Sequence, residues 1–285
     1  MRRFPLALAL VLATGLLAAC AVAPTTPATS PASLAALDAA IAGDWRGAGN
    51  VARDRYRHPR ETLALFGLQP GDRVIEITPG GGWYTEILAP WLRDGGRYTA
   101  ALVDPMAVKE GSGRDYQQRS RTSFDAFLAK QPARYDRVQV VAFDPAAPRF
   151  GTDGQADAVL TFRNVHNWVG AGTAQGYFDG FFRALKPGGV LGVVEHRAAA
   201  GTDAETMKKS GYMTEALVIE LATRAGFVLE ARSEVNANPA DTRNHPNGVW
   251  TLPPTNRHDE ADRAKYATIG ESDRMTLRFR KPTRP

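Results

Sequence analysis

The most informative run of the chain is Val74-Ile75-Glu76-Ile77-Thr78-Pro79-Gly80-Gly81-Gly82-Trp83, in which an apolar segment carrying one acid leads into three glycines. The apolar segment is typical of a buried β-strand, and Trp83 opens a helical pattern. Glycines permit positive φ and let a ligand lie against the free N–H groups of a helix start. The run predicts a strand, turn and helix that either bind a ligand or form a tight turn without one.

A second motif follows about a hundred residues later, where Phe181-Phe182-Arg183-Ala184-Leu185 leads into Lys186-Pro187-Gly188-Gly189 and then Val190-Leu191. Proline and glycine end the helical pattern, and the apolar residues after them indicate a buried strand. Between the two motifs, Asp157-Ala158-Val159-Leu160-Thr161-Phe162 has the composition of another strand. The order of these motifs makes a ligand-free turn at the glycines a much weaker interpretation.

Strand and helix patterns alternate from Gln69 onward, which is typical of an α/β fold with a parallel sheet. We predict seven strands, at Arg73–Ile77, Arg97–Val103, Val138–Ala142, Ala158–Phe162, Val190–Glu195, Phe227–Val235 and Met275–Arg280. We predict helices at Arg60–Phe66, Trp83–Leu92, Phe124–Lys130, Thr173–Leu185, Thr214–Arg224 and around Glu260–Tyr266, with an earlier one capped by Ser33 and ended by Gly43.

On these motifs the chain resembles class I S-adenosylmethionine-dependent methyltransferases from about Pro59 to its end, and within them a group of bacterial predicted methyltransferases of unassigned substrate. The resemblance implies a Rossmann-like, seven-stranded, mostly parallel sheet with helices on both faces and an antiparallel last strand. It also implies S-adenosyl-L-methionine as the cofactor. The domain would span residues 33–285, with residues 236–273 inserted between the last two strands.

The resemblance implies roles for several residues of the first motif. Gly80 and Gly82 match the last two glycines of the family's loop, and Thr78 stands where the first is usual. Independently of the resemblance, Glu76 at the strand end can order the loop by accepting hydrogen bonds from its backbone N–H groups. The Thr78 side chain would narrow the approach to the methionine end of the cofactor.

The remaining cofactor contacts implied by the resemblance follow later strands. The family expects an acid bonding the ribose hydroxyls after the second strand, where Asp104 is the candidate. Phe143-Asp144 matches the position that stacks on and bonds to adenine. As an alternative, Asp104-Pro105 and Asp144-Pro145 are ordinary turns that end their strands. Asn164, after the fourth strand, would border both cofactor and substrate.

Two histidines are candidates for the catalytic base. His166 follows the fourth strand and His196 ends the fifth, and the carboxyl ends of parallel strands converge on the ligand site. Either histidine could accept the substrate's proton, or each could be a hydrogen-bonded structural histidine. Positioning alone can supply much of the rate of methyl transfer, so a strong base is optional.

The N-terminus resembles a bacterial lipoprotein signal. Arg2 and Arg3 precede an apolar run, and Leu17-Ala18-Ala19-Cys20 matches a lipobox. This predicts a signal peptide over residues 1–19, acyl chains on Cys20 and a Pro- and Thr-rich tether over residues 20–32. The protein would then sit on the periplasmic side of the cell envelope, on the outer membrane; an uncleaved membrane anchor is the alternative.

Composition excludes some classes. The single cysteine rules out an intrachain disulfide or a cysteine-based metal site, and the spacing of His58, His245 and His258 predicts no metal. A net charge of +5 without a long block of one sign does not favour a nucleic-acid partner. The oligomeric state has no signal in the sequence.

Three functions fit these patterns to different degrees. The first is a methyltransferase acting on a small molecule or envelope component, and the second is a lipid-anchored, non-catalytic binding or scaffold protein on the same fold. An NAD-linked oxidoreductase shares the first motif, but Lys186-Pro187-Gly188-Gly189 is not a feature of that fold. The 236–273 segment would be either a lid over the pocket or a surface arm.

Overall fold

The centre of the fold is a sheet of seven strands, seen in a computed structural model that describes residues 29–283. The strands are β1 Arg73–Ile77, β2 Arg97–Val103, β3 Gln139–Phe143, β4 Ala156–Phe162, β5 Leu185–His196, β6 Val228–Ser233 and β7 Arg274–Arg280. Their order is β3-β2-β1-β4-β5-β7-β6, with β7 antiparallel to both of its neighbours and β1 to β5 parallel. The predicted Rossmann-like, mostly parallel sheet is confirmed.

The order of strands places a switch point between β1 and β4. The chain winds from β1 outward through β2 to β3, and then crosses back to place β4 on the other side of β1. Ile77 at the end of β1 pairs with Thr161 near the end of β4. Open α/β sheets bind ligands outside the carboxyl ends of their strands at such a point.

Helices cover both faces of the sheet. The described helices are α1 Pro31–Ile41, α2 Ala48–Val51, α3 Asp54–Arg57, α4 Pro59–Phe66, α5 Thr85–Leu92, α6 Ser112–Ala129, α7 Pro132–Tyr135, α8 Val165–Gly170, α9 Ala174–Ala184, α10 Ala204–Ser210, α11 Glu215–Arg224 and α12 Arg263–Ile269. Because successive side chains of a strand point to opposite faces, Val74 belongs to a core cluster with residues of α1, α4 and α5, while Ile75 belongs to a second cluster with residues of α8, α9 and α11.

Two helix predictions differ from the structure. Ser30, not Ser33, caps α1: its hydroxyl accepts a hydrogen bond from Ser33 N, while the Ser33 hydroxyl donates to Gln69. The helix predicted at Phe124–Lys130 is the last part of α6, which begins at Ser112. Phe124 is the one fully buried residue of α6, so the earlier turns carry no apolar periodicity from which to predict them.

The segment between β6 and β7 carries two short 3₁₀ turns, Gly248–Thr251 and Glu260–Asp262, and then α12. Leu252 and Thr251 are fully buried, so this segment is packed onto the domain. The predicted signal peptide, Cys20 and most of the tether lie outside the described residues. Within those residues, the helices are all too short or too polar to cross a bilayer.

Candidate active site at the carboxyl ends of β1, β4 and β5

A cavity of about 280 Å³ opens at the switch point, near the lower end of the size typical of small-molecule sites. Its walls are formed by the glycine loop, the residues after β4, the last residue of β5, the α2–α3 segment and the β6–β7 segment. The lining residues include Arg53, Arg57, Glu76, Thr78, Gly80, Gly81, Trp83, Tyr84, Arg163, Asn164, His166, His196, Trp250 and Thr255. The structure thus brings together residues that are far apart in the sequence.

The glycine loop presents bare backbone to the cavity. Gly80 has φ +60°, and a Cβ atom added at Gly80 or Gly81 would meet no atom within 4 Å. Gly82 differs, because a Cβ there would lie 2.8 Å from the Phe127 ring, and it does not line the cavity. The hollow above Gly80 and Gly81 is therefore not filled by the protein's own side chains.

Thr78 occupies a strained position at the base of this loop. Its φ is +45°, a region that β-branched residues rarely adopt, and its buried hydroxyl has no hydrogen-bond partner. Strain of this kind concentrates at ligand sites, and a buried hydroxyl without a partner carries a desolvation cost. Both observations fit a ligand that contacts the loop here.

Glu76 is buried beneath the cavity. Its carboxylate accepts a hydrogen bond of 2.6 Å from the Tyr98 hydroxyl, and within the described residues no backbone N–H of the glycine loop donates to it, in contrast to the prediction. Burial raises the pKa of Glu76 to about 7, although the Tyr98 hydrogen bond and the Arg57 charge act in the opposite direction. Glu76 therefore carries a titratable proton near neutral pH.

Asn164 joins the ends of β1 and β4. Its side-chain amide donates to Ile77 O at 3.0 Å and to Thr161 Oγ1 at 3.2 Å. The residue before it, Arg163, has φ +61°, a second non-glycine residue with left-handed backbone on the cavity wall. Asn164 thus fixes the switch point, and its role toward a cofactor stays a prediction.

His166 is held by a buried acid. His166 Nδ1 lies 3.0 Å from Glu195 Oε1, and Glu195 also accepts from the backbone N–H groups of His166 and His196. Because a carboxylate only accepts, Nδ1 carries the proton and Nε2 is the nitrogen left for the cavity. A histidine oriented in this way by an acid can act as a general base.

His196 lies beside it, with the two imidazole ring centroids 5.3 Å apart. Its Nδ1 is 2.6 Å from Ser272 Oγ. Burial, and then the neighbouring His166 and Arg163, lower the pKa of His196 well below its ordinary value. His196 is therefore neutral near pH 7 and is suited to hydrogen bonding rather than to carrying charge.

The two acids implied for the adenosine end lie outside the cavity wall. Asp104 caps a 3₁₀ turn by accepting from Met106 N at 2.9 Å, and exposed Asp144 accepts from Ala146 N at 2.8 Å. Both stay predictions as cofactor contacts. The Phe143 side chain cannot stack on adenine, because it is buried in the core with its ring 4.9 Å from that of Phe150.

One group of residues in the described part of the chain could hold a metal ion. Potential ligand atoms of His166, Glu195 and His196 lie within 4.8 Å of one another, a grouping that sequence spacing did not indicate. However, both Glu195 oxygens already accept N–H groups, and Arg163 contributes to the low pKa of His196. A positive surrounding disfavours a cation, and the absence of a metal stays a prediction.

Sequence reasoning missed the arginines of the cavity. Arg53 and Arg57 come from α3 and the residue before it, ahead of the region of resemblance, and Arg163 directly follows β4. The available signal was the local density of arginine over residues 46–57. Among the aromatic residues, Trp83, Tyr84 and Trp250 line the cavity, whereas Trp168 stacks on Tyr177 in the core.

No protein-family model matches the chain, and no curated protein does. Among solved structures, the fold is similar to a SAM-dependent methyltransferase from Aquifex aeolicus, with 15% identity and a TM-score of 0.51 over 81% of this chain and 93% of that one. It is also similar to a candidate sarcosine dimethylglycine methyltransferase from Galdieria sulphuraria, with 14% identity and a TM-score of 0.54 over 82% and 86% of the two chains.

A third similar structure is the [4+2]-cyclase SpnF, with 19% identity and a TM-score of 0.51 over 87% of this chain and 92% of that one. The three comparisons establish the class I methyltransferase fold. At such identities they leave the activity to be argued from the site, because one fold hosts many functions.

Proposed function

We propose that the protein is an S-adenosylmethionine-dependent methyltransferase that acts on a small-molecule or envelope substrate. The observation that carries the proposal is the open backbone at Gly80 and Gly81, in one cavity with the His166–Glu195 pair. The Thr78 hydroxyl, buried without a partner, lies in the same wall. These features fit an adenosyl amino acid whose methionine end rests on the glycine loop.

The side chains around the cavity are arranged to assist methyl transfer. When bound, S-adenosylmethionine would supply an electrophilic methyl group on a sulfonium. His166 Nε2 would take the proton from the acceptor atom as that atom bonds to the methyl carbon and the carbon–sulfur bond breaks. Glu195 holds the imidazole in the required tautomer, and the cavity walls position the acceptor in line with the methyl group.

Titration calorimetry with S-adenosylmethionine, S-adenosylhomocysteine and NAD tests the cofactor. We expect binding of the first two and none of NAD. Gly81→Ala should weaken S-adenosylhomocysteine binding, because its methyl group would enter the open hollow above the loop. Gly170→Ala is the matched control, since that glycine also has open space around it but lies at the end of α8, away from the cavity.

A non-catalytic binding protein on this fold is the second candidate. The strained Thr78, which stands where the family has glycine, favours it, and SpnF shows that proteins named for another reaction have a similar fold. Binding of S-adenosylhomocysteine without any methyl transfer to a broad set of acceptors would support this candidate. Failure of both S-adenosyl ligands to bind would overturn the enzymatic proposal.

We further propose that Cys20 anchors the protein to the periplasmic side of the outer membrane. The proposal rests on the lipobox Leu17-Ala18-Ala19-Cys20. Cells fed a labelled fatty acid should label the wild-type protein, and Cys20→Ser should lose the label and leave the membrane fraction. A wild-type protein that stays unlabelled and unprocessed would overturn the anchor.

A further inference from the structure

Three arginines line the cavity, Arg53, Arg57 and Arg163, and Glu271 pairs with the first two of them. Glu271 contacts Arg53 at 2.5 Å, Arg57 at 3.3 Å and also Arg274. Although burial alone would raise its pKa, the charges of Arg274, Arg57 and Arg53 lower the pKa of Glu271 to about 2. Glu271 is thus ionised, but one negative charge cannot balance these guanidinium groups.

Several guanidinium donors have no partner in the described part of the chain. Arg53 Nη2 and Arg57 Nη2 are buried without a hydrogen bond, and Arg57 is only 5% exposed. The Arg163 side chain makes no hydrogen bond or ion pair with the described residues. Buried donors without acceptors cost stability, and two such donors in one cavity with the unpaired Arg163 point to a ligand that supplies the acceptors.

The surroundings of Arg163 also carry an excess of positive charge. Burial, followed by repulsion from Arg274, lowers the pKa of Arg163 to about 10, so the side chain remains protonated at neutral pH. Its backbone is held in the left-handed region by the turn after β4, where its N–H donates to Val194 O at 2.7 Å. The structure therefore places a cation without an ion pair to any described residue in the same cavity wall as His166.

We propose that Arg163, with the free donors of Arg53 and Arg57, binds a carboxylate or phosphate group of the methyl acceptor. Planar guanidinium groups recognise such oxyanions through paired, charge-assisted hydrogen bonds. S-adenosylmethionine carries one carboxylate beside an ammonium and a sulfonium, so its net charge does not neutralise these arginines, whereas an anionic acceptor does. This inference rests on the proposed function for the identity of the ligand as an acceptor.

The test uses 4-hydroxybenzoate and inorganic phosphate as probes, with neutral 4-hydroxybenzamide as the matched control. Their binding to the full-length protein is measured by calorimetry, with and without saturating S-adenosylhomocysteine. We expect both anions to bind and the amide to bind at least about tenfold more weakly. Arg163→Gln should weaken anion binding by about tenfold or more, and Arg53→Gln should act in the same direction.

Arg121→Gln is the control variant, because Arg121 is on α6, paired with Asp125 at 2.9 Å, and does not line the cavity. It should leave anion binding unchanged. Anion binding that is equal in Arg163→Gln and in the wild type would overturn the proposal, as would equal binding of 4-hydroxybenzoate and 4-hydroxybenzamide. Measurements without S-adenosylhomocysteine keep these outcomes separate from a failure of the cofactor proposal.

A comparison of S-adenosylhomocysteine with 5′-methylthioadenosine, which lacks the amino-acid carboxylate, distinguishes the two sources of the anion. If the arginines bind the acceptor, Arg163→Gln and Arg53→Gln leave the affinity for both nucleosides within about twofold of the wild type. A loss confined to S-adenosylhomocysteine would assign the arginines to the cofactor's carboxylate and overturn the proposal.

Discussion

His166 Nδ1 lies 3.0 Å from Glu195 Oε1, across the gap between the first turn of α8 and the end of β5. Glu195 is fully buried, and its two oxygens also hold the backbone N–H groups of His166 and His196. The acid therefore fixes the backbone and the imidazole together. This relationship determines which nitrogen of His166 faces the cavity.

Neutral His166 should be the Nδ1–H tautomer, because its Nδ1 faces a group that only accepts. Nitrogen-15 NMR of the histidine side chains checks this, and Glu195→Gln should mix the two tautomers.

Two other histidines are controls in the same spectra. His258, whose Nδ1 lies 2.8 Å from Asp259 O, should stay Nδ1–H in both proteins. His245, bonded through Nε2 to Asp241, should show the opposite tautomer in the same spectrum. An Nε2–H form of His166 in the wild type would remove it as the base.

Glu76 should make the stability of the protein fall between pH 4.5 and 7. Burial raises its pKa from 4.5 to about 7, so in that range the folded state keeps a proton that the unfolded state has lost. The free energy of unfolding then decreases as pH rises, by an amount of roughly 3 kcal/mol. Urea unfolding at about pH 4 and about pH 8 measures the change.

The matched variant is Glu76→Gln, which can still accept the Tyr98 hydrogen bond but does not ionise. Relative to the wild type, it should gain stability at the higher pH and little at the lower pH. An equal difference between the two proteins at both values would show that Glu76 does not titrate with a raised pKa.

Part of this structure follows directly from the sequence. The predicted bounds of β1 and β2 match the structure, because each strand is an apolar run that ends at a turn. The first turns of α6 could not be predicted, since a solvated helix needs no apolar stripe. The pairing of Glu271 with Arg53 and Arg57 spans more than two hundred residues, and only the position of β7 in the sheet brings them together.

The candidate site, like the fold, could be predicted from the sequence only in part. His166 and His196 could be placed on one rim because strand ends converge in a parallel sheet. Glu195 directly precedes His196 in the sequence, but its hydrogen bond to His166 depends on the turn after β4. The excess of arginine at the cavity could not be predicted from composition, because over the whole sequence the basic and acidic residues nearly balance.

Thr78→Gly should stabilise the protein by roughly 1 kcal/mol, since it relieves a β-branched residue at positive φ and removes a buried hydroxyl without a partner. Thermal unfolding measures the change. Thr99→Gly is the control, because Thr99 lies on the extended strand β2, where glycine costs backbone entropy and should destabilise. If Thr78→Gly destabilised the protein as much as Thr99→Gly does, the threonine would not be strained.

S-adenosylhomocysteine should slow tryptic cleavage after Arg257. Trp250 and Thr255 line the cavity, and the Trp250 ring lies 6.0 Å from that of His166, so a ligand in the cavity contacts this part of the β6–β7 segment. Arg257 is exposed two residues beyond Thr255, where opening of the segment controls access of the protease. Cleavage after Arg224, at the exposed end of α11 away from the cavity, is the internal control and should not change. Equal slowing at both sites would indicate general stabilisation, whereas protection limited to Arg257 would identify the segment as a lid.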